Sequence, residues 1–398
     1  MTLPAQEQEP RALADETPVP RGSSSLLDAG LFTLLILLSL LAALGLAALL
    51  LLATGNPALS AFSNMWEGSF GSWDALAATL NETAPLLIVA LGACIAGQAG
   101  LFNIGLEGQF MVGALGGVAV ALGIHASAAL VLPLIFLGAA VIGGLWAGIA
   151  ALLRYASGVN EVLTTLLLNF VAIELATFVL NKSYLLQAPR VPGVSGSNLQ
   201  PQTSVIPDSA HLPILRSSGG NQLQFGIVIA LLLAGVVVLL VRKTTWGFKL
   251  RAVGSNPQAA NRFGIRPPFV GGIALFISGA FAGLASAAFL TGGAYRVTSG
   301  FSSDYGWEGL LVALVAGFDP LAAIPVALLY GAIRAGGGFL SVAGVSTSLT
   351  GVIQALIVIA VTLPALYMRR RRRRRQGVRE RQAAILPPAQ RVGEQDIA

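Results

Sequence analysis

The sequence Asn103-Ile104-Gly105-Leu106-Glu107-Gly108-Gln109 is the most informative segment of this chain. It lies within 83–124, a run of 42 residues in which Glu107 is the only acidic or basic side chain. A carboxylate at membrane depth costs several kcal/mol unless it faces a bundle interior or a wet cavity. Gly100, Gly105 and Gly108 free backbone groups that lipid cannot satisfy. The stretch therefore predicts a broken helix that lines a polar pocket.

The composition predicts an integral membrane protein. Of 398 residues, 55% are hydrophobic and only 11% are charged, and the mean hydropathy is +0.76. A soluble chain of this length would have no place for so much apolar surface. The 47 glycines include small-xxx-small pairs such as Gly144/Gly148 and Gly279/Gly283, which favour close helix packing.

The apolar runs predict an all-α polytopic protein. A spanning helix needs about 20 apolar residues, and on that measure the chain has about ten spans. The predicted spans are 30–53, 83–101, 105–124, 127–152, 161–181, 223–241, 268–291, 304–318, 319–335 and 350–367.

The placement of positive charge predicts the orientation. The stretch 242–266 has six basic residues and no acid, and seven consecutive arginines occupy 369–375. The positive-inside rule places both in the cytoplasm. With ten spans, both termini are then cytosolic and the loops 54–82 and 182–222 lie outside. Beside a membrane helix, the arginine run is typical of an anchor to anionic lipid rather than of nucleic-acid binding.

We therefore predict three regions along the chain. They are a disordered cytosolic tail at 1–28, a transmembrane domain at 29–367, and a basic cytosolic tail at 368–398.

A weak internal repeat predicts the architecture. Gly105-Leu106-Glu107-Gly108 has a counterpart in Gly306-Trp307-Glu308-Gly309, and each is followed by a small and apolar run. Five predicted helices separate the two copies, so they would cross the membrane in opposite directions. This favours a 5+5 inverted repeat with broken central helices and a substrate site near the membrane midplane.

A second polar segment begins at Asn160. Glu161, Thr165 and Asn169 recur every four residues and share one helical face. Thr165 and Asn169 either line a wet path or clamp a neighbouring helix. Glu161 could also be a helix-start charge favoured by the dipole.

The basic loop 242–266 contains helix punctuation. Asn256 is a good N-cap, Pro257 suits the first helical position, and Gly264 can close the helix in the left-handed conformation. We expect a two-turn helix over 257–263 that docks a soluble partner, with a plain interfacial helix as the alternative.

These three motifs together resemble bacterial ABC-transporter permeases of the branched-chain amino acid, simple sugar and nucleoside superfamily. The Asn-Ile-Gly-x-Glu-Gly-Gln form of the first motif looks most like the nucleoside-uptake branch. The resemblance covers roughly 86–366, and both tails lie outside it.

The resemblance implies an importer subunit that moves nucleosides across the bacterial inner membrane by alternating access. Its partners would be ATPase subunits, a second permease that is a related chain or a copy, and an extracytoplasmic binding protein docking partly on 182–222. ATP and Mg²⁺ would sit on the ATPase, with no cofactor in this chain. The residues that would couple to the ATPase are Gly247, Arg251, Gly254, Asn256, Pro257, Ala260 and Gly264.

For the substrate pathway, we expect polar groups to hydrogen-bond a passing nucleoside while Trp307, Phe301 or Tyr305 stacks on its ring. Glu107 could instead pin the broken helix by binding freed backbone amides. The predicted pathway residues are Asn103, Glu107, Gln109, Thr165, Asn169, Trp307 and Glu308.

Other functions are weighed against this one. The substrate could be a simple sugar such as ribose or a branched-chain amino acid, and an ion-coupled secondary transporter would share the broken helices. An intramembrane enzyme is disfavoured, because the sequence has no His-Glu-x-x-His pattern and no Walker-type phosphate loop. We predict no catalytic residue and no metal site, so ATP hydrolysis requires another chain.

Overall fold

The computed structural model describes residues 23–189, 201–218, 221–346, 348–360, 362–364 and 367. One compact unit, Ala43–Thr362, holds most of them. The other unit comprises Met1–Ala42 and Leu363–Ala398, of which the structure describes chiefly the first part of the first helix. The predicted tail 368–398 lies outside the described residues. Of the predicted tail 1–28, residues 23–28 are already helical.

Helices dominate the described residues, and eight of them are long and apolar enough to cross a membrane. This confirms a polytopic all-α membrane protein. The eight are α1 (Ser23–Ala53), α3 (Trp73–Gln98), α4 (Leu106–Gly123), α5 (Ala128–Ser157), α6 (Glu161–Leu180), α7 (Gly226–Lys243), α10 (Pro267–Phe289) and α12 (Pro320–Val342).

Two of the ten predicted spans are shorter apolar helices. The span 304–318 corresponds to α11 (Tyr305–Ala316), and 350–367 corresponds to α13 (Ser348–Pro364). At 1.5 Å per residue, the 12 residues of α11 extend about 18 Å, well short of the roughly 30 Å hydrocarbon layer. The helix α11 is therefore too short to cross this layer by itself, and whether 304–318 spans or re-enters the membrane is a point that the sequence leaves open.

The predicted loops contain structure of their own. The loop 54–82 holds α2 (Ala58–Phe70), and α3 begins ten residues before the predicted start at 83. The loop 182–222 leads into an antiparallel hairpin of β1 (Ile214–Ser218) and β2 (Asn221–Gln224).

The basic stretch 242–266 forms two helices. They are α8 (Thr245–Ser255), which the sequence analysis did not predict, and α9 (Pro257–Arg262), which confirms the expected short helix. Around this stretch, Arg242 binds Asp319 at the start of α12 at 2.9 Å. We call this side of the bundle the basic end.

Glycines let α5 and α10 cross closely. A Cβ added at Gly143 would stand 2.5 Å from the carbonyl oxygen of Gly279, and one added at Gly283 would overlap the carbonyl of Ala139. Helices in lipid gain stability from such close packing, since lipid gives no hydrophobic drive for association. The predicted Gly279/Gly283 pair is therefore a packing motif at the centre of the bundle.

Gly283→Ala should destabilise the protein by about 1–3 kcal/mol because the added methyl overlaps α5 backbone. Gly272→Ala is the matched control on α10, since a Cβ there meets nothing within 4 Å. We expect the apparent melting temperature to fall for purified Gly283→Ala and not to fall for Gly272→Ala. Equal melting of both variants would contradict the close crossing.

Candidate functional site

The chain turns back into the bundle after α3. Gly100 has φ +74° at this turn and packs against Gly254 of α8 at the basic end. Three residues later, the Asn103 amide donates to the Ser278 hydroxyl at 3.0 Å. Ser278 is 11 residues into α10, about 16 Å along that helix. The segment 99–105 therefore rises into the bundle without regular structure, and α4 begins there.

Asn103 and Gln109 close this segment against the first turns of α4. Each side-chain amide donates to the oxygen of the other, at 2.8 and 3.0 Å, and the Asn103 oxygen also accepts from the Gly105 amide at 3.0 Å. Both side chains are buried. These bonds satisfy backbone and side-chain groups that neither lipid nor a regular helix would satisfy.

The polar face of α6 clamps the same segment. Asn169 accepts from the Gly108 amide at 2.9 Å and donates to the Ile104 carbonyl at 3.0 Å, while Thr165 accepts from the Ile104 amide at 3.2 Å. The shared face predicted for Thr165 and Asn169 is confirmed. In the structure these two side chains clamp a neighbouring segment, which was one of the two alternatives, the other being a wet path. Glu161, at the start of α6, pairs with Arg154.

Glu107 reaches across to the start of α11. Its carboxylate accepts from the Gly306 amide at 2.8 Å and also interacts with the Ser302 hydroxyl and the Trp307 amide. The residue before α11, Asp304, provides no side-chain cap. A negative charge at a helix N-terminus satisfies free amides and complements the helix dipole. Glu107 therefore caps α11 from another helix.

The starts of α4 and α11 meet inside the bundle. A Cβ added at Gly306 would overlap the Glu107 backbone, so only glycine permits this approach. From the contact, α11 runs to the basic end, where Phe318 packs on Gly97, and α4 runs the other way. The two repeat copies thus begin the two broken helices. The full 5+5 repeat remains a prediction.

A second polar group, which we call the charged cluster, consists of Glu82, Tyr305, Glu308 and Arg334. The Arg334 guanidinium binds Glu82 at 2.8 Å and Glu308 at 3.0 Å, and its carbon lies 4.1 Å from the centre of the Tyr305 ring. The Tyr305 hydroxyl also donates to Glu82. The cluster joins α3, α11 and α12, and each charge in it has an opposite partner.

Arg334 is not among the residues predicted from the sequence, and Glu82 falls in the predicted outer loop 54–82. Arg334 is the one basic residue between Pro320 and Val342. The rule that singled out Glu107, an ionisable residue in an apolar run, would have found Arg334 too. Its partner Glu82 lies 252 positions away, and sequence spacing gives no sign of that contact.

Aromatic rings surround the start of α11. Tyr305 stacks on Phe110 with ring centres 5.7 Å apart, and Phe289 lies 4.8 Å from Tyr305. Phe301 joins this group at 5.2 Å from Phe289. Two of the three rings predicted for stacking, Phe301 and Tyr305, therefore lie together beside the charged cluster, whereas Trp307 is outside this ring group.

Two cavities flank the charged cluster. The first, of about 310 Å³, is lined by aromatic and amide side chains and by Glu82 and Tyr305. The second, of about 380 Å³, is lined by Glu82, Glu308 and Arg334 with polar residues of α12 and α13. Among the predicted pathway residues, Glu308 alone lines either cavity as the described residues form them.

The predicted caps at the basic end are confirmed. The Asn256 side chain accepts from the Ala259 amide at 3.0 Å, Pro257 is the first residue of α9, and Gly264 has φ +79°. Phe248 and Phe263 are 61% and 84% exposed beside these caps. The helix pair thus presents two apolar rings among basic residues.

The remaining predicted coupling residues hold α8 and α9 in place. Gly247 and Gly254 allow close approach to Val241 and Gln98, and Arg251 donates to the Val241 carbonyl at the end of α7. Ala260 is buried. These contacts connect the basic helices directly to α7 and to the turn after α3.

Glu107→Ala should destabilise the transporter by about 1–3 kcal/mol because it removes the charged acceptor at the start of α11. Glu107→Gln keeps one acceptor oxygen and should have a smaller effect. The measurement is the apparent melting temperature of the purified protein. Glu67→Ala on the exposed side of α2 is the control, and equal melting of Glu107→Ala and Glu67→Ala would refute the cap.

Residues 75–362 match the family described as branched-chain amino acid transport system / permease component. A glucose ABC transporter permease protein of Haloferax volcanii is 34% identical, over 81% of this chain and 85% of its own. A guanosine ABC transporter permease protein of Bacillus subtilis is 31% identical, over 82% and 91%. A nucleoside ABC transporter permease protein of Lactococcus lactis is 28% identical, over 79% and 86%. The chain therefore belongs to this permease family, as a multi-pass membrane permease subunit of an ABC transporter.

Proposed function

We propose that the chain carries nucleosides into the cell as the permease subunit of an ATP-driven importer. The observation that carries the substrate is the similarity, over about four fifths of the chain, to permeases named for guanosine and for nucleosides. The ring group around Tyr305, next to carboxylates and amides, supports it, because a nucleoside offers both an aromatic face and hydroxyls.

A simple sugar is the second candidate. The observation that favours it is the 34% identity to a glucose permease. Hydroxyls of a sugar would suit the second cavity, whose lining side chains are charged or polar. A branched-chain amino acid, after which the family is described, and an ion-coupled mechanism of a different class are further alternatives.

In this proposal the basic end faces the cytoplasm. The exposed rings Phe248 and Phe263, among basic side chains, are suited to dock an ATPase subunit that binds and hydrolyses ATP with Mg²⁺. Gly254 against Gly100 would pass the movement of α8 to the segment that carries Asn103 and Glu107. The segment 182–222 at the other end would meet an extracytoplasmic binding protein, and a second permease chain would complete the path in the inner membrane.

The predicted pathway residues then divide into two groups. Asn103, Gln109, Thr165 and Asn169 fix the broken start of α4, and Glu107 fixes the start of α11. We propose that these residues form the wall of the transport path. Glu308 is the member that lines one of the two cavities described above, and there it could meet substrate during transport.

Uptake of radiolabelled guanosine, adenosine and uridine should be saturable in cells that carry the whole transporter, with glucose, ribose and leucine as comparators. A partner ATPase with an inactive active site is expected to abolish uptake, and an ionophore is expected to leave it unchanged in ATP-replete cells. Glucose or leucine uptake instead of nucleoside uptake would reject the substrate. Uptake that survives the dead ATPase and collapses with the ion gradient would reject the class of transporter.

A further inference from the structure

The first cavity lies beside the start of α11. Its volume is about 310 Å³, at the lower end of the range for small-molecule sites. Phe289, Tyr295 and Tyr305 supply aromatic rings, and Glu82 and Gln224 supply polar groups. The cavity is partly open, and its acidic side chain, Glu82, is a functional-site candidate because it lies among long apolar helices.

The backbone around this cavity departs from regular helix. After Phe289, α10 widens into a π-helical turn, Leu290–Ala294, and ends at Tyr295 with φ 55°. A left-handed tyrosine costs about 1 kcal/mol or more and persists where the surroundings impose it. π-helical turns occur frequently at functional sites. The interruption turns Gly292, Gly293 and the Tyr295 ring toward the same cavity.

Contacts between α3 and β2 hold the polar groups of the cavity in position. Asn81 of α3 donates to the Gln222 carbonyl at 2.8 Å and accepts from the Gln224 amide at 3.1 Å, which fixes β2 over the cavity. The Gln224 side chain reaches the Tyr295 hydroxyl at 3.4 Å and packs against the backbone at Gly292. The His211 ring lies 4.1 Å from that of Tyr295.

The geometry points to this cavity as the site that holds the nucleoside inside the permease. The inference rests on the proposed function and adds the place and the contacts. The base lies against the rings of Tyr295 and Phe289, and the side-chain amide of Gln224 forms a hydrogen bond with the polar edge of the base. Glu82 accepts a hydrogen bond from a ribose hydroxyl. Both hydrogen bonds that described residues make to Glu82 end on Oε2, so Oε1 can accept from a ligand.

The chemistry of the lining favours a base over the other substrate classes. A hexose can contact the Tyr295 and Phe289 rings only through its C–H bonds, whereas a base stacks on them with a whole aromatic face. The ammonium group of an amino acid could pair with Glu82, but its carboxylate would need a cation, and the guanidinium of Arg334 is already bound to two carboxylates. The second cavity has no aromatic side chain among its lining residues in the described part of the chain. Of the two cavities, the first therefore suits a base.

Photolabelling of the purified full transporter, without its binding protein, tests the site directly. The probe is 8-azidoguanosine, and the labelled peptides are mapped by mass spectrometry. We expect label on peptides containing 81–85, 222–226 or 289–295, competed by guanosine and not by glucose. Gln224→Leu, which keeps the side-chain volume, should reduce labelling about three- to tenfold, as expected for one lost hydrogen bond. Gln187→Leu, outside the cavity lining, is the matched control and should label like the wild type.

Tyr295→Phe gives a second variant, in which the ring remains and only the hydroxyl is lost, with a smaller expected reduction of labelling. Wild-type guanosine uptake is measured in parallel. If wild-type cells take up guanosine, three results would overturn the site but not the proposed function. They are label that guanosine competes for only on α12 and α13, no label that guanosine competes for, and equal labelling of Gln224→Leu and Gln187→Leu. Absence of nucleoside uptake by the wild type rejects the proposed function, and the site falls with it.

Discussion

The hydrogen bond from the Gly306 amide to the Glu107 carboxylate joins the two helix starts on which the centre of this bundle depends. A helix that begins inside a membrane protein leaves its first amides without water or lipid to accept from. Glu107 supplies a charged acceptor for α11, while Asn103, Thr165 and Asn169 supply the bonds that α4 and its preceding turn need. The same hydrogen bond therefore stabilises the buried Glu107 carboxylate and satisfies the start of α11.

The charged cluster obeys the same constraint, because polar groups inside the bundle need partners. Arg334 would be costly inside an apolar bundle by itself, and its two carboxylates would repel each other without it. Because these groups come from α3, α11 and α12, a movement of α11 relative to the other two helices would rearrange this ion pairing. The two cavities lie on either side of Glu82, where such a rearrangement would change their access. The bond network that fixes α11 is therefore linked to the shape of the two cavities.

Features set by local chemistry could be predicted from the sequence. The caps at Asn256 and Gly264, the single polar face of Thr165 and Asn169, and the broken helix at Glu107 each follow from neighbouring residues. The short α11, the early start of α3 and the pairing of Glu82 with Arg334 could not be predicted in this way. Apolar length does not reveal that a helix starts inside the bundle, and contacts between distant helices leave no periodic pattern in either segment.

Hydrogen exchange at the first amides of α11 measures whether this helix depends on the Glu107 carboxylate. In the wild-type transporter, the Gly306 amide should exchange far more slowly than that of Gln258, which occupies the second position of the exposed helix α9. In Glu107→Ala, exchange at Gly306 should accelerate about tenfold or more, while Ala313 deeper in α11 stays protected. Equal protection of Gly306 in the wild type and in Glu107→Ala would show that α11 does not depend on this carboxylate.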